Sequence, residues 1–387
     1  MTTVQQTLPI YIAYICQGHQ SFRDVVPMKY VIGTEKSGDL HVYVQGDISQ
    51  QDKRAVFLTV HDLGCNHLSF HEFVNHPSMI DIRDRSIFIH IDVPGHEENG
   101  EALPDSFQFP PLQTLGEDLV SVLNFLHVKY VICLGEGAGA NVCARFGLAH
   151  PSKVIGMILI NCTGSPASVI DIFKNKFVNW KGNNLISQSA EDYLLFHKFG
   201  NSNRHDTRNG ADGQLTSENQ RDKERVMAEF QARIRSSINS KNLKLYVDSF
   251  LTRNDLSLKN STTDILLITG VLSSHASVVE KLHKEMPDKN KATLLKIERA
   301  GDVLLDAPAK VAQAILLFCK GLGLLTSVTM PGIDRQRTLS QSSQEETPIG
   351  FNKGRRLSRG MSMEEYDKPN IRRLSITQTG PPLPNKN

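Results

Sequence analysis

The 387-residue chain has no apolar run approaching the roughly 18 residues that a membrane-crossing helix needs. The stretch Leu8-Pro-Ile-Tyr-Ile-Ala-Tyr-Ile-Cys16 is short and has no basic flank before it, so a signal peptide is not expected either. Cysteine is sparse. The six residues at 16, 65, 133, 143, 162 and 319 show no C-x-x-C and no framework spacing, which excludes a disulfide scaffold or a zinc ribbon. They read as small hydrophobes in a reducing, cytoplasmic compartment. A strong charge of one sign is also missing. The net charge of +2 gives no reason to expect nucleic acid as a partner, while 40% hydrophobic residues suffice for a large core. What charge there is lies unevenly: from Thr326 onward ten Lys/Arg stand against six Asp/Glu. Any anionic partner is therefore assigned to the tail.

A further absence carries more chemistry. Tyr130-Val-Ile-Cys-Leu-Gly-Glu-Gly-Ala-Gly-Ala-Asn141 reads as a buried strand, a glycine turn and a helix start. That is the layout of a nucleophile elbow, G-x-S-x-G, in which a sharp turn lifts a serine above an α/β sheet. Here Gly137 stands where the serine belongs, between Gly135 and Gly139. The pattern around it supports an α/β-hydrolase fold. A hairpin at 28–33 and 39–45 precedes buried-type strands at 55–60, 86–92, 130–134, 154–160, 264–270 and 292–297, and helical spacing fills 112–127, the segment to about 149 and 308–322. Short apolar strands separated by helices imply a mostly parallel sheet with helices on both faces.

The expected organisation is an N-terminal segment at 1–25, partly disordered, and a core from 26–165 and 261–325. A helical cap insertion spans 166–260 and holds the single tryptophan, Trp180, and a disordered basic tail follows at 326–387. Within the insertion, the almost wholly polar stretch 200–224 reads as a mobile loop.

A hydrolase of this layout needs an acid after the strand that follows the insertion and a histidine after the last strand. Those addresses read Gly270-Val-Leu-Ser273 and Gly301-Asp302, so Gly137, Ser273 and Asp302 form a degenerate triad and no catalytic residue is assigned. An ordinary carboxylate at 302 is already ionised and cannot shuttle a proton as imidazole does. Backbone donors survive such losses. Ala138 and the His61-Asp62-Leu63-Gly64 loop would still form an oxyanion hole, so His61, Asp62, Gly64 and Ala138 are candidate contacts for a small carboxylate or carbonyl ligand. The competing expectation is a pocket filled by cap side chains.

Five stretches support a resemblance: Val60-His-Asp-Leu-Gly-Cys-Asn-His67, Ile91-Asp-Val-Pro-Gly95, Phe107-Gln-Phe-Pro110, Lys129-Tyr-Val-Ile132 and Gly135-x-Gly-Ala-Gly-Ala140. Over roughly residues 25–325 the chain resembles the N-myc downstream-regulated gene family. The resemblance implies an α/β-hydrolase fold without hydrolase activity, cytoplasmic roles in signalling, stress response and differentiation, and a kinase-targeted tail. Protein partners and protein kinases are thus expected, with no cofactor.

Three rival readings compete for these residues. Gly135-Glu-Gly137-Ala-Gly-Ala140 matches G-x-G-x-x-G/A, but several strands precede it and no carboxylate ends the next strand, so a tight turn explains the glycines better than a dinucleotide site. His61, His67, His71, His76, His90 and His96 lie close in sequence without H-E-x-x-H, so no metal site is assigned. An enzyme with an unorthodox nucleophile would use Cys65, with His61 or His67 as base, on a small ester or thioester. In the tail, Arg337-Thr-Leu-Ser340, Arg355-Arg-Leu-Ser358 and Arg372-Arg-Leu-Ser375 repeat Arg-x-Leu-Ser. Arginines before serine suit an acidic kinase groove, marking Ser340, Ser358 and Ser375 for phosphorylation. Three phosphates would add about −4.5 to −6 and release such a tail from an anionic membrane surface.

Overall fold

The computed structural model describes residues 27–166, 186–200 and 217–329. The segment 1–25, Trp180 and the three tail serines lie outside these residues. Eight strands form one sheet: β1 (Met28–Gly33), β2 (Asp39–Gln45), β3 (Ala55–Val60), β4 (Ser86–Asp92), β5 (Val131–Glu136), β6 (Val154–Ile160), β7 (Asp264–Gly270) and β8 (Ala292–Ile297). Their order is β1-β2-β4-β3-β5-β6-β7-β8. The β1–β2 and β2–β4 pairs are antiparallel and all others parallel, as the hairpin followed by β-helix alternation predicts.

Strand periodicity sorts the core into two layers. Leu58, Val60, Ile89, Cys133 and Leu159 face one layer; Phe57, Phe88, Ile132, Leu134 and Ile158 face the other. Helices α1 (His67–Asn75) and α2 (Ile80–Arg83) follow β3, α3 (Leu112–Asp118) and α4 (Val120–Phe125) follow β4, and α5 (Gly137–Ala149) follows β5. Helices α6 (Gln188–Phe199), α7 (Ser217–Ala232) and α8 (Ser240–Leu251) intervene between β6 and β7. Then come α9 (Ala276–Glu285), α10 (Val303–Asp306) and α11 (Pro308–Gly321). Residues of α3, α5, α8 and α9 join the first layer, and residues of α1, α10 and α11 the second.

Three boundaries differ from expectation. The helix read over 112–127 is two helices meeting at Leu119, where Leu119 N–H and Val122 N–H make three-residue bonds to Gly116 and Leu119. Part of the polar stretch 200–224 is helical, since α7 begins at Ser217. Its Glu, Gln, Lys and Arg are strong helix formers, so polarity there was a poor sign of a loop. Finally, β5 runs through Glu136 and α5 starts at Gly137 itself.

Close approach explains the glycines of this turn. A Cβ on Gly135 would come within 3.0 Å of Ala140 Cα, and one on Gly139 within 3.0 Å of the Val60 and His61 carbonyls, separations real side chains do not show. Both obstacles are backbone, so Gly139→Ala is expected to cost about 3 kcal/mol or more by urea denaturation, with the secondary structure retained.

Candidate functional site

Val60 pairs with Gly135, so the loop after β3 and the turn after β5 lie side by side at the carboxyl edge of the sheet. Open α/β sheets place their sites at that edge. Gly137 has φ +52°, a left-handed conformation that glycine tolerates. A Cβ there would lie within 3.0 Å of all three Asp62 carboxylate atoms. The space above the turn is therefore occupied by Asp62.

The Asp62 Oδ1 accepts from Leu63 N–H at 2.8 Å and from Ala138 N–H at 2.9 Å. These amides are the expected oxyanion-hole donors, one from each loop. Ala138 is in the first turn of α5, whose own N-cap residue Glu136 makes no side-chain cap bond, so Asp62 caps that helix from outside. His197 on α6 puts Nε2 3.0 Å from Oδ1 and 2.9 Å from Oδ2. Burial raises the Asp62 pKa, but His197 first, then Lys198 and the Ala138 amide outweigh it and hold the group down at about 2. An ionised carboxylate only accepts, so His197 Nε2 carries a proton. His197 Nδ1 lies 3.2 Å from His275 Nε2 and 3.4 Å from the Tyr193 hydroxyl. Burial, and then His197, push His275 down to about 3, so that imidazole is neutral.

The other two triad addresses meet the same helix end. Ser273 Oγ donates to Asn161 Oδ1 at 3.1 Å and accepts from His275 N–H at 3.2 Å. Asp302 caps α10 through Leu304 N–H and lies 3.2 Å from Lys198 Nζ. The same ammonium reaches Glu136 Oε1 at 2.6 Å and Oε2 at 2.7 Å. All three groups are buried. Burial opposes the Lys198 charge, but Asp302 and Glu136 outweigh it and raise its pKa well above the ordinary value. Two carboxylates around one ammonium leave a net negative charge, and burial together with Asp302 pushes Glu136 up to about 8 despite Lys198.

The sequence reading named Asp62, Ala138, Gly137, Ser273 and Asp302, but missed His197, Lys198, His275 and Glu136. Only Glu136 had a local sign, a charged residue inside an otherwise apolar strand and glycine turn. Gly64 lies beneath Phe230 and Ile234, either of which a Cβ would strike. His61 has both ring nitrogens engaged by backbone, Nδ1 with the Asp62 carbonyl at 2.8 Å and Nε2 with Val93 N–H at 3.2 Å. The alternative nucleophile is not assembled. Burial pushes Cys65 up to about 12, and His67 is held by Asp92 at 2.8 Å and stacked on Tyr43. Of the other histidines, His90 bonds Thr59, His96 bonds the Pro94 carbonyl, His76 bonds Ser78 and His71 bonds Asn75. Among the described residues no three ligand side chains are grouped to hold a metal, and no helix is long and apolar enough to cross a membrane.

Comparison with known proteins identifies the family and the fold. The family profile described as the Ndr family matches residues 30–326, and the chain belongs to that family. It is 39% identical over 361 residues to an uncharacterized protein of Caenorhabditis elegans, covering 92% of this chain and 97% of that one. It is 31% identical over 344 residues to Protein NDRG3 of Xenopus laevis, covering 85% of each chain. Among solved structures, an enol-lactonase from Burkholderia xenovorans superposes with TM-score 0.58 at 13% identity, over 75% of this chain and 100% of that one. A malate-bound esterase from Thermogutta terrifontis gives 0.57 at 14%, over 76% and 98%. The fold is that of the α/β-hydrolases.

The charge clusters set opposite pH dependences. Glu136 has a folded pKa raised from 4.5 to about 8, so its contribution is fully present below about 4.5 and is lost as pH rises through 8. Chemical denaturation across that range is expected to shift steadily in favour of Glu136→Gln over the native chain. Asp62, depressed from 3.8 to about 2, contributes above about 4 and loses that contribution as pH falls toward 2, so the disadvantage of Asp62→Asn should shrink over that interval. Lys198→Met leaves the buried Asp302 and Glu136 carboxyl groups without the ammonium they share and is expected to cost roughly 3–5 kcal/mol near neutral pH.

Proposed function

We propose that this Ndr-family chain is a non-catalytic protein on a hydrolase scaffold, acting by binding, with its former reaction centre filled by its own side chains. One observation carries the proposal: the Asp62 carboxylate occupies both oxyanion-hole donors and the volume a serine at 137 would require. An acyl substrate needs both places, the first for the developing oxyanion and the second for the attacking atom. Supporting it, the group that would act as base at the last address is an aspartate tied to Lys198, and the nearby thiol is buried with its pKa near 12.

Cytoplasmic signalling, stress response or differentiation is the setting we infer from the family resemblance. The binding surfaces are the inserted helices and the basic tail, with kinases acting on Ser340, Ser358 and Ser375. In this reading the unmodified tail rests on acidic protein or anionic membrane surfaces and phosphorylation releases it.

The purified full chain is expected to hydrolyse p-nitrophenyl acetate and thioester analogues no faster than buffer. Gly137→Ser should not restore turnover, and should lower stability by about 1–3 kcal/mol because the new Cβ meets Asp62. Turnover by the native chain that Asp62→Asn or Cys65→Ala abolishes would overturn the reading. For the tail, replacing Ser340, Ser358 and Ser375 by glutamate should weaken retention on phosphatidylserine vesicles several-fold. Unchanged retention removes the release mechanism and leaves the closed centre untouched.

A further inference from the structure

A second site lies away from the filled centre. The segment 107–113, α8 and the residues after it enclose a groove of about 530 Å³, within the size range of small-molecule sites. Phe107, Phe109 and Leu112 form an apolar wall, and Arg145 and Arg253 line the same space. Both arginines are buried, at 3% and 4% exposure. Arg145 is held by Asn141 Oδ1 at 2.9 Å, Gln113 Oε1 at 2.7 Å and the Asn254 carbonyl. Arg253 is held by Thr163 Oγ1 at 2.6 Å and the Phe250 carbonyl, and its guanidinium stacks 3.9 Å from the Phe250 ring centroid.

Every one of these partners is neutral. Neither guanidinium forms an ion pair among the described residues, and Arg253 Nε is buried without any hydrogen-bond partner. Asp248, the one acidic residue lining the groove, is paired with Lys244, and exposed Asp255 reaches both arginines only through its field. Burial, and further the field of Arg145, push Arg253 down to about 10. Buried charges are ordinarily paired, because desolvation costs several kcal/mol that neutral partners recover only in part. Two buried cations sharing an open groove without a counter-charge are matched by a ligand that brings one.

We infer that this groove binds a small organic anion, a carboxylate or phosphate monoester, whose head pairs with Arg145 and Arg253 and whose apolar body rests on Phe107, Phe109 and Leu112. The guanidinium fork suits both head groups. The inference is independent of whether the elbow is catalytic, since no residue of one site belongs to the other.

Calorimetry on the full chain with phenyl phosphate, phenylacetate, phenylacetamide and inorganic phosphate tests it. At least one aryl anion is expected to bind at least tenfold more tightly than phenylacetamide and than inorganic phosphate, and the better of the two identifies the head group. Arg253→Gln should weaken that binding tenfold or more. Thr252 is exposed and lines the groove, so Thr252→Glu should abolish binding while raising the melting temperature by supplying a charge partner. This second variant keeps the test sound if Arg253→Gln does not fold. Equal binding of phenylacetamide, inorganic phosphate binding as tightly as the aryl anions, no binding of any anion at millimolar concentration, or affinity unchanged in Thr252→Glu would each overturn the site.

Discussion

The Asp62 carboxylate accepts from the Leu63 and Ala138 amides and faces the His197 imidazole, so one buried anion joins three separate pieces of chain. Each partner restrains another. His197 above all, then Lys198 and the Ala138 amide, keeps Asp62 ionised, and the ionised carboxylate fixes the proton on His197 Nε2. That leaves Nδ1 of His197 turned toward His275 and Tyr193. The elbow, the loop after β3 and α6 therefore share a single electrostatic centre and do not merely abut.

Lys198 extends the arrangement. Consecutive residues of a helix point about 100° apart, so His197 and Lys198 engage different parts of the core. One meets the loop after β3, the other the end of β5 and the cap of α10. Both sit in the last turn of α6, where the helix dipole favours positive charge. Gly200 then ends the helix at φ +65° against the Leu272 carbonyl, which excludes any side chain there. Tyr246 and Asn242 of α8 add bonds to the His61, Gly95 and Glu101 carbonyls. The helices between β6 and β7 are thus fastened to the carboxyl edge of the sheet by buried polar bonds, over the position where a hydrolase would admit its substrate.

Much of this frame could be read in the residues, and the reasons divide cleanly. Strands such as 86–92 and 154–160 are short runs rich in Ile and other apolar residues, bounded by turns, so composition and length mark them without reference to tertiary contacts. The elbow was visible because a tight strand–helix turn demands small residues at fixed spacing. By contrast, His197, Lys198 and His275 lie 135, 62 and 78 positions from the partners they meet. No local pattern encodes a contact of that range, and a histidine or lysine on a helix is more often solvent-facing. Polarity at 217–224 misled for a related reason: Ser-Glu-Asn-Gln-Arg-Asp-Lys-Glu carries no apolar stripe in its sequence, and only intrinsic propensity marks it as a helix.

The filled centre also shows why the two departures from a hydrolase site belong together. In the H-G-G-G type of oxyanion loop, glycine leaves room above the sheet for the nucleophile and for the substrate oxygen. Here aspartate takes the loop position and glycine takes the elbow. The two changes exchange bulk across one gap, because a Cβ at 137 and the carboxylate of Asp62 claim the same volume. Either change alone would be unfavourable. Serine opposite Asp62 would collide with it, and glycine on both sides would leave an empty, polar cavity with two unsatisfied amides. Together they give a packed, hydrogen-bonded interior in which the Leu63 and Ala138 amides hold the Asp62 carboxylate as a ground-state structural bond.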